Sequence, residues 1–351
     1  MICTIKQIVR ENLIKMVKDH HIFVVGSSRS GTTMMGRILN KSNKIFTLKE
    51  LHFFSSISPN NFNQKIDKKT QTVLLSKLFC IQNEGIFNVS RYVHYLKEAK
   101  KKLQSINLIS LEIYILFLRI VKERENVDFI CEQTPNNAYF LKEIIKCFPH
   151  SKIINMVRDP RAVLYSQKNK WRRKFLGANK IPYSESLRSY FNYHPILTSQ
   201  LWNTSISHTL SNLDSSMIKI VKFEDVLFSP EKQIKEICKF LGIKFVKEML
   251  SVKKIGSSSI EDNNIDKYID KSKLDMWKNG GLNSGEIYIT QSINSNFMNR
   301  FSYEKEKFRF KPILFYFYIL IFPIKLFFAL IFNLKRNTNF FRSLKRKILK
   351  K

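Results

Sequence analysis

The chemically most informative part of this sequence is a loop that combines two glycines with hydroxyl and guanidinium side chains. The loop reads GSSRSGTT, runs from Gly26 to Thr33, and follows the apolar run 22–25. A turn of this kind between a strand and a helix aims backbone N–H groups and the positive end of the helix dipole at one point. The hydroxyls add further donors, so a phosphate or sulfate group is the natural occupant.

The two glycines stand at the spacing of the phosphate-binding loop of ATPases, but the residue after the second glycine does not suit that chemistry. This position holds Thr32 in place of lysine, and the cation of the loop is Arg29. A phosphotransferase that uses ATP and Mg²⁺ is therefore a disfavoured alternative. If the loop is judged without the rest of the sequence, it could also be an ordinary connection between a strand and a helix that binds no ligand.

A second candidate anion site follows the apolar run 152–157. Arg158 comes directly after this run, and Ser166 lies two helical turns further on, in a helix predicted at 161–170. Both side chains could face one anion, because arginine binds phosphate oxygens as a bidentate fork and serine adds a donor. A salt bridge from Arg158 to Asp159 or to another carboxylate is the alternative.

In this order, the two motifs resemble those of sulfotransferases that use 3'-phosphoadenosine-5'-phosphosulfate (PAPS), in the branch that includes bacterial and protein-tyrosine sulfotransferases. The first loop of that family reads Lys or Arg, Ser or Thr, Gly, Thr, Thr, and further similarity covers most of 22–303. The resemblance implies an enzyme that moves a sulfuryl group from PAPS to a hydroxyl, in line and without a metal. The implied donor-binding residues are Ser28, Arg29, Ser30, Gly31, Thr32, Thr33, Arg158, Ser166 and Ser259.

The resemblance also implies separate roles within this set. Arg29 contacts the bridging oxygen and the sulfuryl group, residues 31–33 hold the 5'-phosphate, and Arg158 and Ser166 hold the 3'-phosphate. Sulfuryl transfer builds negative charge on the leaving oxygen. A guanidinium fixed beside that oxygen therefore stabilises the transition state more than the ground state.

The acceptor hydroxyl needs a group that takes its proton as sulfur is attacked, and Glu50 and His52 are the candidates. In the resembling branch a glutamate after the first helix is the base, and Glu50 stands at the matching distance from Arg29. His52 is the second assignment. The alternatives are a solvated Glu50 paired with Lys49 or Lys44, and a His52 with a packed, structural role.

One position departs from the family pattern. Relatives often carry lysine before a Thr-Pro pair, whereas this sequence has Gln133, which can donate a hydrogen bond but cannot neutralise a sulfate. Arg29 or another cation must compensate if that lysine matters. The remaining donor contacts are expected from a late loop at 257–259 ahead of Trp277.

The elements that must position these residues alternate between strands and helices. Such alternation predicts an α/β sulfotransferase domain at 20–304, with a P-loop-like parallel sheet flanked by helices on both faces. A helical insertion is predicted at 55–122 and a further helix at 5–18, and Trp202 is interpreted as core. The predicted alternation is strand 22–25, helix 34–39, strand 152–157, helix 161–170, strand 217–223 and helix 231–241.

The chain changes character after this domain, so a separate tail is predicted at 305–351. Residues 312–334 are almost entirely apolar, and 335–351 are rich in Lys and Arg. Pro323 and Lys325 argue against a simple bilayer span, although the length suffices. We expect a kinked element at the cytoplasmic face of a membrane, with a helix packed on the domain as the alternative.

Composition bounds the partners. A net charge of +32 predicts an anionic partner, although an AT-rich genome would also enrich lysine. No nucleic-acid-binding signature is recognisable, no secretory segment is predicted at 1–19, and five scattered cysteines suit a reducing compartment. The first candidate acceptor is a glycan or glycolipid hydroxyl and the second is protein tyrosine. The oligomeric state stays open, and a non-catalytic protein that binds anionic surfaces is the alternative from another class.

Overall fold

The structure is a computed structural model that describes residues 20–58, 62, 65–103, 107–213, 216–253, 266–269 and 274–334. The helix predicted at 5–18, the loop at 257–259 with Ser259, and the basic end at 335–351 lie outside the described residues.

A five-stranded sheet forms the centre of the domain, with the strand order β2-β3-β1-β4-β5. All four pairings are parallel, and Ile22 of β1 stands opposite Lys152 of β4. The strands predicted at 22–25, 152–157 and 217–223 are therefore confirmed as neighbours. The strands are β1 Ile22–Gly26, β2 Ile45–Thr47, β3 Phe129–Glu132, β4 Lys152–Val157 and β5 Ile218–Lys222, and a separate antiparallel pair comprises β6 Ser251–Lys253 and β7 Asp266–Tyr268.

Helices cover the sheet and form the predicted insertion between β2 and β3. The helix predicted at 161–170 ends two residues early, because the chain passes at Lys170 into a 3₁₀ turn that runs to Phe175. The helices are α1 Thr32–Leu39, α2 Lys68–Glu84, α3 Leu96–Leu103, α4 Ser110–Glu125, α5 Leu141–Cys147, α6 Pro160–Lys168, α7 Tyr183–Phe191, α8 Pro195–Leu210, α9 Phe223–Phe228, α10 Pro230–Leu241, α11 Ser284–Arg300 and α12 Ile313–Leu334.

Alternate side chains of the central strand enter different cores. Phe23 and Val25 of β1 pack with the helical insertion on one face of the sheet. Ile22 and Val24 pack on the other face with α1 and α10. Because both faces are buried, the strand reads as a continuous apolar run instead of an alternating one, and the prediction of a sheet covered on both sides is confirmed.

The end of the described chain packs on the domain instead of leaving it. The ring of Phe332 in α12 stacks on Phe191 of α7 at a centroid distance of 4.8 Å. Near the start of α12, Leu314 lies so close to Gly285 of α11 that a Cβ on this glycine would approach the Leu314 carbonyl carbon to 2.7 Å. One side of the apolar helix is thus docked along α7 and α11.

Candidate active site

The residues singled out in the sequence converge at one edge of the sheet. Parallel strands all end at the same edge, and open α/β sheets bind ligands there. The loop 27–31 follows β1, Arg158 follows β4, and Glu50 and His52 lie in the segment after β2. Three strands that are distant in sequence thus present their following segments at the same edge.

The loop 26–33, called the donor loop below because of its predicted role, adopts the backbone conformation that an anion-binding turn requires. Arg29 has φ 75° and Gly31 has φ 95°, both in the left-handed region. A Cβ on Gly31 would lie 2.4 Å from the ring of Phe223, so glycine is required here for space as well as for conformation. The N-terminus of α1 at Thr32 is thereby held against the start of α9.

One hydroxyl of this loop fits an anionic ligand well. The Ser30 Oγ is buried and has no hydrogen-bond partner among the described residues, although the Ser30 amide donates to the Ser27 carbonyl at 3.1 Å. Buried hydroxyls are normally paired, so an unpaired one beside a helix N-terminus suits a ligand oxygen. Ser28 and Thr33 are partly exposed at the same loop, and Thr32 is buried at the first position of α1.

The two predicted phosphate motifs contact each other directly. The Arg29 Nε donates to the Ser166 Oγ at 2.9 Å. The Arg158 guanidinium donates through Nη1 to the Arg29 carbonyl at 3.3 Å. The structure therefore brings Arg29, Arg158 and Ser166 into one cluster, whereas the sequence assigned Arg29 to the sulfuryl group and Arg158 with Ser166 to a separate phosphate.

Neighbouring side chains hold Arg158 in place. Its guanidinium carbon lies 4.3 Å from the ring centroid of Phe223, and its carbonyl accepts a 2.9 Å hydrogen bond from the Trp202 Nε1. Trp202, interpreted from the sequence as core, therefore also fixes the backbone of the second motif. Burial lowers the pKa of Arg158, and the carboxylates of Glu224 and Asp159 oppose that effect.

The acidic residue next to Arg158 has a different partner. The Asp159 carboxylate forms a two-bond pair with Arg161, at 2.7 and 3.0 Å. Arg161 also stacks 4.1 Å from the ring centroid of Trp277. Asp159 therefore serves as an N-cap and buried ion-pair partner in α6, which leaves Arg158 oriented toward the donor loop.

The two candidate bases lie next to each other. The Glu50 Oε2 lies 3.5 Å from the His52 Nε2, and both side chains are partly exposed. The alternative partners of Glu50 are engaged elsewhere: the Lys44 Nζ contacts Asp128 at 2.8 Å, and the Lys49 Nζ donates to the Asn83 carbonyl. Glu50 is therefore not the solvated partner of either lysine.

Opposing effects act on the Glu50 carboxylate. Burial raises the pKa of Glu50, whereas the hydrogen bond and charge of His52 lower it. The charges of Lys170 and Arg173 lower it further, so the pKa lies below its ordinary value. Glu50 is consequently ionised at neutral pH and able to accept a proton.

A buried carboxylate that the sequence reading missed supports this segment. Glu132, at the end of β3, accepts short hydrogen bonds from the Thr134 hydroxyl and the Asn137 amide. The Thr134 hydroxyl in turn accepts from the His52 amide at 3.3 Å, where His52 has φ 54°. Burial chiefly raises the pKa of Glu132 to about 7, and the charge of Glu50 adds to this. The sequence did contain a sign of this residue, because a glutamate stands at the end of an apolar run just before the Thr-Pro pair.

Two further cations were also missed. Lys170 begins the 3₁₀ turn after α6, and burial together with the charges of Arg188, Arg29 and Arg173 lowers the pKa of Lys170 to about 7. The Arg173 Nε is buried without a hydrogen-bond partner among the described residues. The signal was the basic run KWRRK, which follows the second motif directly.

Gln133 is directed toward α1. Its Oε1 would lie 2.9 Å from a Cβ placed on Gly36, and it lines a cavity of about 500 Å³ together with Thr47 and Lys49. Lys170 interacts electrostatically with both Arg29 and Glu50, so it is a candidate for the cation that the sequence lacks at position 133.

Comparison with known proteins adds an independent finding. The profile of the sulfotransferase family matches residues 21–247. A "Putative protein-tyrosine sulfotransferase" of Caenorhabditis briggsae is 28% identical over 134 residues, 37% of this chain and 43% of that protein. Protein-tyrosine sulfotransferase 1 of Danio rerio is 28% identical over 126 residues, 35% of this chain and 32% of that protein. The chain thus matches less than half the length of these curated relatives.

A solved structure supports the same fold. The sulfotransferase domain from the curacin biosynthetic pathway superposes with a TM-score of 0.50 at 20% identity. The superposition covers 82% of this chain and 99% of that domain. The parallel sheet with flanking helices is therefore shared with a sulfotransferase.

Proposed function

The chain belongs to the sulfotransferase family, enzymes that transfer sulfate, and we propose that it moves the sulfuryl group of PAPS to an acceptor hydroxyl. Membership of an enzyme family favours this activity over the non-catalytic surface-binding alternative. The observation that carries the proposal is the cluster of Arg29, Arg158 and Ser166, in which the Arg29 Nε and the Ser166 Oγ are 2.9 Å apart.

The cluster suits a ligand with two separated anionic groups. The loop 28–33 offers backbone amides, hydroxyls and the N-terminus of α1 to a phosphosulfate. Arg158 and Ser166 offer a fork and a hydroxyl to a second phosphate. ATP lacks the 3'-phosphate that this second site would bind, and Thr32 stands where ATPases use lysine.

PAPS, when bound, supplies a sulfuryl group on a phosphate leaving group. The hydrogen bond to Ser166 holds the Arg29 side chain, so its guanidinium is positioned before charge develops. Preorganised cations of this kind stabilise developing charge without reorganisation. Lys170 adds a second cation near Arg29, a role that fits the absence of a lysine at position 133.

Glu50 is the proposed base, and His52 is the residue that orients it. Glu50 is partly exposed, so an acceptor can reach it, and its lowered pKa keeps it ionised. A base contributes about 10²–10⁴-fold to such proton transfers. The acceptor oxygen would bond to sulfur while the bond from sulfur to the phosphate oxygen of PAPS breaks, which releases 3'-phosphoadenosine-5'-phosphate, and the Glu50 carboxylate would take the proton of the acceptor hydroxyl.

Two classes of acceptor are proposed, in order of preference. A sugar hydroxyl on a glycan or glycolipid is the first candidate, in keeping with the apolar surface described below. A tyrosine hydroxyl is the second, favoured by the names of the curated relatives. Acceptor pockets are built from variable loops, so the donor motifs do not decide between these two.

The deciding experiment is calorimetric titration of the purified chain with 3'-phosphoadenosine-5'-phosphate (PAP), beside ATP and AMP, without magnesium. We expect tight binding of PAP alone, since only PAP carries both phosphates. Transfer of labelled sulfate from PAPS should then persist in a metal chelator. Absent PAP binding, or turnover of ATP that requires magnesium, would overturn the proposal.

A further inference from the structure

The described chain carries a broad apolar surface on the outer side of α12. Only 6% of the most apolar stretch of α12 is buried, although this helix is long and apolar enough to cross a bilayer. The exposed side chains continue onto the preceding residue Phe310 and onto the neighbouring helix α7. The exposed members are Tyr183, Leu187, Tyr190, Phe310, Ile313, Leu314, Tyr316, Phe317, Ile319, Leu320, Ile324, Phe327, Phe328 and Ile331.

The inner side of α12 is tied to the domain by polar contacts. The His194 Nε2 donates to the Tyr318 carbonyl at 3.1 Å, and the Asn283 amide donates to the Tyr318 hydroxyl at 2.9 Å. Near the other end, Asn333 accepts from Arg188 at 3.0 Å. Contacts at both ends hold the helix along the surface, so its apolar side faces outward over a length of about 33 Å.

The lysine in the middle of α12 does not interrupt this apolar side. The Lys325 Nζ lies 4.5 Å from the ring centroid of Tyr190 and 5.6 Å from that of Phe191, both in α7. The charge is thus placed over aromatic rings at the border with the domain. The outward-facing residues Phe317, Leu320 and Ile324 carry no charge.

Basic residues flank the apolar helix on both sides. Lys305, Lys307, Arg309 and Lys311 precede it and are exposed, and the sequence from 335 to 351 is rich in Lys and Arg. No acidic residue occurs after Glu306. An apolar surface framed by cations complements a bilayer whose headgroups are anionic.

We propose that the outer side of α12 inserts into one leaflet of an anionic membrane while the inner side stays docked on the domain. The helix then lies in the interface instead of spanning the bilayer, because the contacts of Tyr318 and Asn333 keep it beside α7 and α11. The apolar area and the flanking cations together give stable binding to the membrane, whereas either feature alone would give only marginal binding.

The same surface adjoins the candidate active site. The 3₁₀ turn 170–175 carries Lys170, which acts on Glu50, and Phe175, whose ring lies 6.2 Å from that of Tyr183 in α7. One short segment thus connects the acceptor side of the site with the membrane-facing surface. On the basis of the proposed function, the favoured acceptor is a hydroxyl on a lipid-linked glycan.

Flotation of the full-length chain with lipid vesicles tests this placement. We expect binding to vesicles of phosphatidylcholine with phosphatidylglycerol, weaker binding to phosphatidylcholine alone, and partial loss in high salt. A variant that combines Phe317→Asp, Leu320→Asp and Ile324→Asp should lower the vesicle-bound fraction at least about tenfold. Phe228→Asp is the matched control, because Phe228 is exposed to a similar degree (56%) on α9.

The affinity for PAP should be the same in the parent and in both variants, which shows that the domain remains folded. Unchanged flotation of the triple variant, or no flotation of the parent, would overturn the proposal. A parent that is dimeric and does not float, with a monomeric triple variant, would assign the surface to a second copy. Because flotation requires no nucleotide, failure of PAP binding would contradict the proposed activity without touching this inference.

Discussion

Arg29 and Ser166 are 137 positions apart in the chain, yet the Arg29 Nε donates to the Ser166 Oγ at 2.9 Å. The contact joins the loop after β1 to the helix after β4. The position of the guanidinium proposed to stabilise the leaving group therefore depends on a residue of the second phosphate motif. The two motifs are thus in direct contact.

Ser166→Ala should lower both the affinity for PAP and the rate of transfer. The variant removes the hydroxyl proposed to donate a hydrogen bond to the 3'-phosphate, and it also removes the hydrogen-bond partner of Arg29. Ser166→Thr keeps the hydroxyl and should restore most of both. The measurements are calorimetry with PAP and transfer of labelled sulfate to a panel of alkyl glycosides and tyrosine peptides. A loss of affinity with an unchanged rate at saturating PAPS would show that Arg29 does not depend on Ser166.

Arg158→Ala should weaken PAP binding by about 2 kcal/mol or more, as expected for a lost charge-assisted pair. Calorimetry measures the change. Arg119→Ala is the control, since Arg119 pairs with Glu123 within α4. If both variants bind PAP like the parent, Arg158 does not belong to the donor site.

Glu50→Gln should reduce the transfer rate by about 10²–10⁴-fold while PAP affinity stays constant. A base must be deprotonated, so activity is lost as pH falls through its pKa. Because the pKa of Glu50 lies below the ordinary value of about 4.3, the rate should stay level down to that region. An active Glu50→Gln variant together with an inactive His52→Gln variant would instead identify His52 as the base.

Lys170→Arg should change how donor binding depends on pH. The pKa of Lys170 is lowered to about 7, and an anion beside it favours its charged form. PAP binding by the parent should therefore carry proton uptake near neutral pH, and the arginine variant should lose this component because arginine stays charged. Calorimetry in buffers of different ionisation enthalpy measures the proton uptake. Equal proton uptake in the parent and the variant would show that Lys170 is not the group that takes up the proton.

Glu132→Gln should flatten the pH dependence of stability. Burial raises the folded pKa of Glu132 to about 7, against an ordinary value of 4.5, so its stabilising effect is complete below pH 4.5 and is lost as pH rises through 7. The parent should lose up to about 3 kcal/mol of unfolding free energy over that range relative to the variant. Urea titrations at several pH values measure the unfolding free energy of the parent and the variant. An equal dependence of this free energy on pH in both proteins would contradict the raised pKa of Glu132.

Features that depend on local order could be predicted from the sequence. Each of the two motifs lies within a single strand-loop-helix segment, so the apolar runs at 22–25 and 152–157 predicted the parallel sheet, which is confirmed. The residues that follow these runs predict an anionic ligand, and that part is still to be tested. The end of α6 was predicted two residues late, because the turn at Lys170 depends on contacts outside that helix. The loop at 257–259 stays a prediction.

The glycine loop at 26–33, the motif at 157–166 and the family were recognisable in the sequence alone, because these depend on residue type and spacing along one segment. Contacts between distant segments follow from the packed fold instead. The fold brings Ser166 to Arg29, the Thr134 hydroxyl to the His52 amide, and Lys170 close to Glu50, because the segments after neighbouring parallel strands meet at one sheet edge whatever their distance in the chain. It also divided α12 into a docked side and an outward side, since burial and charge environment are properties of the packed molecule.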